Sequence, residues 1–180
     1  MGKHTFITPP IMARAKIFCW AIIAIMAIML VWIVATGQTP RLAMSIAIAL
    51  VIAMMLYLLL AMSKARVDLD DHNLVIRASF YRNKNFTRDL LLPKAASVID
   101  LKKAGVYKPT IRTFGVGLPG YGEGWFRLRN GEKAFVLFSG MNKAVIIPTT
   151  KGYYLILGVD EPSRLLGELT EQEETNREEK

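Results

Sequence analysis

The sequence is poor in the residues from which most catalytic and metal sites are built. It has one cysteine, Cys19, and two histidines, His4 and His72. A single cysteine excludes an intramolecular disulfide, so nothing in the chain asks for an oxidising compartment. The histidines fall in the N-terminal tail and in an expected hairpin turn, which assembles neither a Ser-His-Asp nor a Cys-His arrangement. With one cysteine beside them they leave too few ligands for a zinc site. Ser139 precedes Gly140 but lacks the first glycine of a nucleophile elbow. The stretch "DLDDHN" opens like a calcium loop, yet Asn73 stands where the glycine is needed and Ser79 where the closing glutamate is needed. The expectation is a protein that is not an enzyme and holds no metal or cofactor.

Charge is missing from two long stretches. Between Ile17 and Thr36, and again between Leu42 and Met62, no Asp, Glu, Lys, Arg or His occurs. Each run reaches the ~20 apolar residues that cross a bilayer as a helix. A cleaved signal peptide is the competing account of the first run. Its apolar core is shorter, about 7–15 residues, and here a second run follows after "GQTPR". The sequence therefore predicts a transmembrane hairpin over 17–62, with helices at 17–36 and 42–62. Gly37 and Pro40 make its turn tight. Ala43 and Ala47, and Ser45, Ala49 and Ala53, recur at four-residue spacing that lets helices approach closely. The absence of ionisable side chains argues against an ion pathway inside the pair.

The flanks carry the cations. Lys3, Arg14 and Lys16 precede the first run, Lys64 and Arg66 follow the second, and the turn offers Arg41. By the positive-inside rule both termini lie in the cytoplasm. The net charge of +8 is then no argument for nucleic acid. Residues 63–160 carry 16 Lys and Arg against 8 Asp and Glu. A basic domain beside an anionic leaflet is drawn to it, at about 1 kcal/mol per well-placed cation. Membrane lipid is the expected partner, together with a protein partner or a second copy.

Beyond a tail over 1–16 and the hairpin, the sequence predicts a cytoplasmic domain over 63–170 and an acidic tail over 171–180. The domain reads as strands. "RVDLDDHNLVIRASF" alternates on either side of Asp71-His72, and "NFTRDLLLP" and "AASVIDLKK" follow. After a Gly/Pro-rich segment come "GWFRLR" and "EKAFVLFS", joined by Asn130-Gly131, a type I′ turn signal. "KAVIIPTT" and "YYLIL" flank Lys151-Gly152. About seven strands result. The pattern then changes to a helix with Leu165, Leu166 and Leu169 on its apolar face and Asp160 as a cap. The fold expected is mainly β: a partly open barrel or orthogonal sandwich covered by one C-terminal helix.

The run "IRTFGVGLPGYGEGWFRLRNGEKAFVLFSG", with "IIPTTKGYYLIL" after it, resembles the bacterial PH-like (pleckstrin homology-like) domains of membrane proteins. The resemblance covers roughly Arg66 to Leu169. It implies a PH-like fold next to transmembrane helices and leaves the activity open. Phosphoinositide-binding PH domains grip their ligand with basic residues in the first hairpin loop. Here that loop is "DDHN", so this property does not carry over.

"GVGLPG" contains a literal G-x-G-x-x-G at Gly115, Gly117 and Gly120. A dinucleotide fingerprint needs a helix after its glycines, and here a strand hairpin follows, with Pro119 inside the motif. The glycines are read instead as permitting positive φ and close backbone approach in an ordered loop. Two readings of this loop stand side by side. In one, Arg112 and the loop amides hold an anion while Tyr121 and Trp125 anchor a contact. In the other, Arg112 pairs with an acid such as Glu123, and Trp125 or Phe126 is core. Lys64, Arg66, Arg82, Lys84, Arg88, Lys102 and Lys103 are the candidate contacts for anionic lipid.

Overall fold

The structure, a computed structural model, describes residues 4–8, 13–36, 41–62, 65–70, 72–79, 81, 83–140 and 143–178. The chain opens with a strand, β1 (His4–Ile7), continues into two apolar helices, α1 (Ala13–Thr36) and α2 (Arg41–Met62), and then enters the β domain. The sequence reading treated the region before the helices as a tail. It failed because a four-residue strand carries too little alternation to stand out.

The helices pack on each other. Cys19, Ile22, Ile23, Met26, Leu30 and Ile33 form the less exposed stripe of α1, with Cys19 and Ile33 buried. Ser45, Ile48, Val51, Ile52 and Met55 form that of α2. Apart from the adjacent pairs Ile22-Ile23 and Val51-Ile52, both repeats advance by three or four residues, the spacing that keeps one face toward a partner helix. Ala47, Ala49 and Ala53 are exposed, so the alanine repeat is not the packing seam. In α1 the window Lys16–Ile33 has mean hydropathy 2.4 and is long and apolar enough to cross a membrane. The apolar part of α2 among the described residues, Met44–Tyr57, is shorter. The expected turn at 37–40 lies outside the described residues.

The β domain holds strands β2 (Arg66–Leu69), β3 (Asn73–Arg77), β4 (Lys84–Thr87), β5 (Ser97–Asp100), β6 (Pro109–Leu118), β7 (Tyr121–Leu128), β8 (Lys133–Ser139), β9 (Lys143–Pro148) and β10 (Tyr153–Leu157). They form two sheets, one ordered β1-β2-β3-β4 and one ordered β5-β9-β10-β8-β7-β6. β10 lies between β8 and β9 and runs parallel to β8. The count exceeds the expected seven because β1 was missed and the Gly/Pro-rich segment taken for a loop is β6 with the start of β7.

Alternation explains the layering. Val67, Leu69, Leu74, Ile76 and Phe86 turn inward from the smaller sheet and meet Phe135, Leu137, Val145, Ile147, Leu155 and Leu157 of the larger one. The intervening residues of the larger sheet, including Ala134, Val136, Ile146 and Ile156, face a second cluster with Leu101, Phe126 and Leu128. Both faces of the central strands are therefore buried, and each fully buried Leu or Ile contributes ~1.5–3 kcal/mol.

The last element is α3 (Pro162–Glu178), whose Leu165 and Leu169 are buried in the first cluster. The helix runs past Thr170, so the expected acidic tail is largely helical. The N–H of Asp160 goes to the carbonyl of Ile7 at 3.0 Å, tying the approach to α3 to β1. The Asn130-Gly131 turn also differs from expectation. Gly131 has φ 87°, whereas no non-glycine residue among those described has positive φ, which rules out type I′. Leu128 and Glu132 close a three-residue loop with a left-handed glycine at its end.

Candidate functional site

The glycine-rich segment forms a long antiparallel hairpin, and two of the three fingerprint positions, Gly115 and Gly120, have a backbone reason to be glycine. Gly115 pairs with Gly124, with φ of 130° and 118°. A Cβ on Gly115 would lie 2.1 Å from the carbonyl oxygen of Glu123, and one on Gly124 would lie 2.3 Å from that of Phe114. Two backbones cross here at a distance that leaves no room for side chains. Pro119 and Gly120, the latter with φ 82°, supply the turn between Leu118 and Tyr121, as a type II turn demands. Gly117 lies under the Arg112 stem and the Phe126 ring, where a Cβ would make ordinary contacts of 3.5 and 3.6 Å. The segment is two strands and a turn, and no helix N-terminus follows to receive a phosphate.

β6 lies at the edge of its sheet and carries two bulges, at Thr110 and Thr113, where the register slips. The hydroxyls of both threonines turn back to β7 and donate to the carbonyls of Arg127 and Trp125, each at 2.9 Å. The bulges leave Ile111, Arg112, Thr113 and Phe114 exposed in succession.

Beneath this hairpin Glu123 is fully buried. Its carboxylate accepts from the N–H of Ser79 at 3.2 Å, the Ser79 hydroxyl, the N–H of Tyr81 at 2.8 Å and the hydroxyl of Tyr121 at 2.7 Å. Ser79 and Tyr81 follow β3 of the smaller sheet, so this carboxylate latches one sheet to the other. Burial, and then the charge of Glu123, push the Tyr121 phenol far above the ordinary tyrosine range. Tyr81 is raised by the same two causes. The sequence reading missed this cluster, since a lone glutamate among glycines carries no periodic signal.

Arg112 is exposed and forms no ion pair among the described residues, so the expected Arg112–Glu123 pairing is not what the structure contains. Gly115 and Gly120 are required by the backbone, and Tyr121 is buried. Trp125 stacks edge-on against Phe135 and Tyr153, with ring centroids 5.4 and 5.2 Å apart. It belongs to the core, as the second reading of the loop had it.

The basic candidates are dispersed. Lys64, Arg82 and Asp71 lie outside the described residues. Arg66 and Arg77 flank the buried Asp68, at 3.9 and 3.0 Å, and Thr5 of β1 donates to the same carboxylate at 3.0 Å. The Lys84 ammonium stands 6.0 Å from the Phe86 ring centroid. Arg88 is half-buried, whereas Lys102 and Lys103 are exposed in the turn after β5. His4, read as part of a tail, meets Glu168 of α3 at 3.3 Å. Among the described residues no group of three or more His, Cys, Asp or Glu is placed to hold a metal ion.

The geometry defines a β-sheet domain latched internally by a carboxylate, with its exposed chemistry on edge strands and turns: an interaction module in outline. The family comparison agrees. Residues 65–172 match the model of the bacterial PH domain, and the chain belongs to that family. No curated protein and no solved structure matches the chain.

Proposed function

We propose that the chain is a non-catalytic, membrane-anchored interaction module. In this reading α1 and α2 cross a bacterial inner membrane as an antiparallel pair, and the PH domain stands at the cytoplasmic face, where it binds another protein or assembles with further copies. Binding of proteins or lipids is the general role the family suggests.

The observation that carries the reading is the pairing of β1 with β2. Ile7, ahead of α1, stands opposite Arg66, just beyond α2, and the hydroxyl of Thr8 donates to the carbonyl of Ala65 at 2.6 Å. The two flanks of the helix pair meet in one sheet. An even number of crossings returns the chain to the side it left, so this pairing fits two spanning helices and not one. The distribution of Lys and Arg supports reading that side as the cytoplasm.

Reporter fusions at Lys180 and in the 37–40 turn test the topology: a cytoplasmic reporter is active at the first position and silent at the second. Activity at the turn overturns the hairpin. Mild-detergent purification of the full chain, compared with a variant lacking α1 and α2, then tests whether a stoichiometric protein partner travels with it. A lipid-binding reading is favoured by a separate observation, the distribution of exposed charge around β6.

A further inference from the structure

The end of the domain nearest the membrane helices can be traced through contacts. Ile7 and Arg66 are the points where the chain leaves the sheet for α1 and returns from α2, and Arg77, the last residue of β3, pairs with Arg66. The chain then continues through Ser79 to Tyr81, whose ring packs edge-on against Phe114 with centroids 6.3 Å apart. Phe114 and its neighbours on β6 therefore sit at the same end as the helix roots. There Ile111 is 61% and Phe114 58% exposed, with Arg112 exposed between them.

The charge around this strand is one-sided. Between Leu101 and Gly131 the exposed ionised groups are Lys102, Lys103, Arg112, Arg127 and Arg129, with Lys108 half-buried. The one acid in that stretch is Glu123, buried and bonded internally. Asp160 and Glu161, which are exposed, stand beside Ile7, at the edge of the other sheet. The bulges at Thr110 and Thr113 make β6 a poor template for an added strand, because they break the regular ladder of backbone donors and acceptors. Side chains, not backbone, are what this edge offers. Ile111 and Phe114, opposite Arg127 and Trp125, lie on one face of this edge strand, and Arg112, over Gly117 and Phe126, lies on the other. Glu132 is the exposed acid nearest in sequence. Large apolar side chains and a cation on one edge suit the interface of an anionic bilayer.

We propose that the β6 edge is a second membrane contact, in which Ile111 and Phe114 enter the headgroup layer of anionic phospholipid while Arg112 pairs with lipid phosphate. The domain then lies on the bilayer through β6. This rests on the reading of α1 and α2 as membrane-spanning.

The test uses the full chain in nanodiscs of zwitterionic lipid, with and without an anionic phospholipid, in a Cys19→Ala background. A polarity-sensitive fluorophore is attached at Phe114→Cys, at Ile111→Cys, or at His72→Cys in the exposed turn at the far end of β2 and β3. Labels at 111 and 114 shift to the blue and are quenched by spin-labelled lipid several-fold more than the label at 72. Arg112→Ala weakens the part that depends on anionic lipid by about fivefold, as loss of one cation at a lipid surface does. Equal emission at 72, 111 and 114 in both lipids, with the chain retained in the discs, overturns the β6 contact and leaves the anchor standing. Protection of the labels that is the same in detergent as in anionic discs also overturns it and assigns the edge to a protein contact. A chain that does not stay with the discs overturns the anchor, and the β6 contact with it.

Discussion

The hydroxyl of Tyr121 donates to the carboxylate of Glu123 at 2.7 Å, two residues along the same strand and on the same face. Alternation in a strand makes that meeting possible, and burial makes it consequential. Tyr121→Phe removes one donor from a buried charged acceptor and is expected to cost about 1.5–3 kcal/mol. Glu123→Ala costs more, because it leaves buried donors on Ser79, Tyr81 and Tyr121 without their acceptor. Thermal denaturation of the full chain in detergent orders the two variants, and a Glu123→Ala chain as stable as the parent would remove the latch from the account.

The same pair sets the response to alkali. Tyr121 is raised above the usual phenol range in the folded chain, so the unfolded chain loses its proton first, near pH 10. Above that pH the unfolded state binds fewer protons than the native state, and stability falls as pH rises, by up to about 1.4 kcal/mol per unit. Below it the contribution is complete. Tyr81, Tyr153 and Tyr154 are also raised, so the comparison that isolates Tyr121 is the slope of stability against pH in the parent and in Tyr121→Phe. The variant should show the shallower alkaline decline.

Glycine substitutions should separate close approach from backbone conformation. Gly124 combines φ of 118° with a Cβ position 2.3 Å from a carbonyl oxygen, whereas Gly131 has φ of 87° and open space around it. Gly131→Ala is expected to cost about 1–2 kcal/mol, the strain of a left-handed non-glycine residue. Gly124→Ala must in addition push two strands apart, and it should yield little folded protein. Comparable melting temperatures for the two variants would contradict the crossing of backbones at Gly115 and Gly124.

The strands after α2 were legible where a short apolar run lay between turn residues, as in Leu74 to Ile76 or Ala134 to Phe138. The helix face of Leu165 and Leu169 was equally plain. β6 was hidden because glycines at 115 and 117 lower strand propensity, although the role of Gly115 is to let β7 come close. β1 was hidden by its length, and its partner lies across two helices in sequence. The site was less legible still. Arg112 and Glu123 look like a natural ion pair in sequence, but bulges in β6 carry one outward while the β7 alternation carries the other into the core. Exposure of Ile111 and Phe114 depends on those bulges, which no local pattern announces.

β1 gives the most direct test of how the domain is held. Its Phe6 is buried in the main core, and Phe6→Ala should cost about 3–5 kcal/mol, a large effect for a residue so near the N-terminus. The pairing itself is tested with Ile7→Cys and Arg66→Cys in the Cys19→Ala background. These residues stand opposite each other in an antiparallel ladder, where Cα atoms are about 4.5–5.5 Å apart, within the span of a disulfide. Mild oxidation of the full chain in membranes should form a bond within one molecule, at a rate that does not depend on protein concentration. A bond formed only between molecules would mean that β1 is exchanged between copies, and absence of any bond would mean that the two flanks of the helix pair do not meet. An intramolecular bond fixes the roots of α1 and α2 on one side of the membrane, and it makes the PH domain a body held at two points, able to feel a relative movement of the helices as shear between β1 and β2.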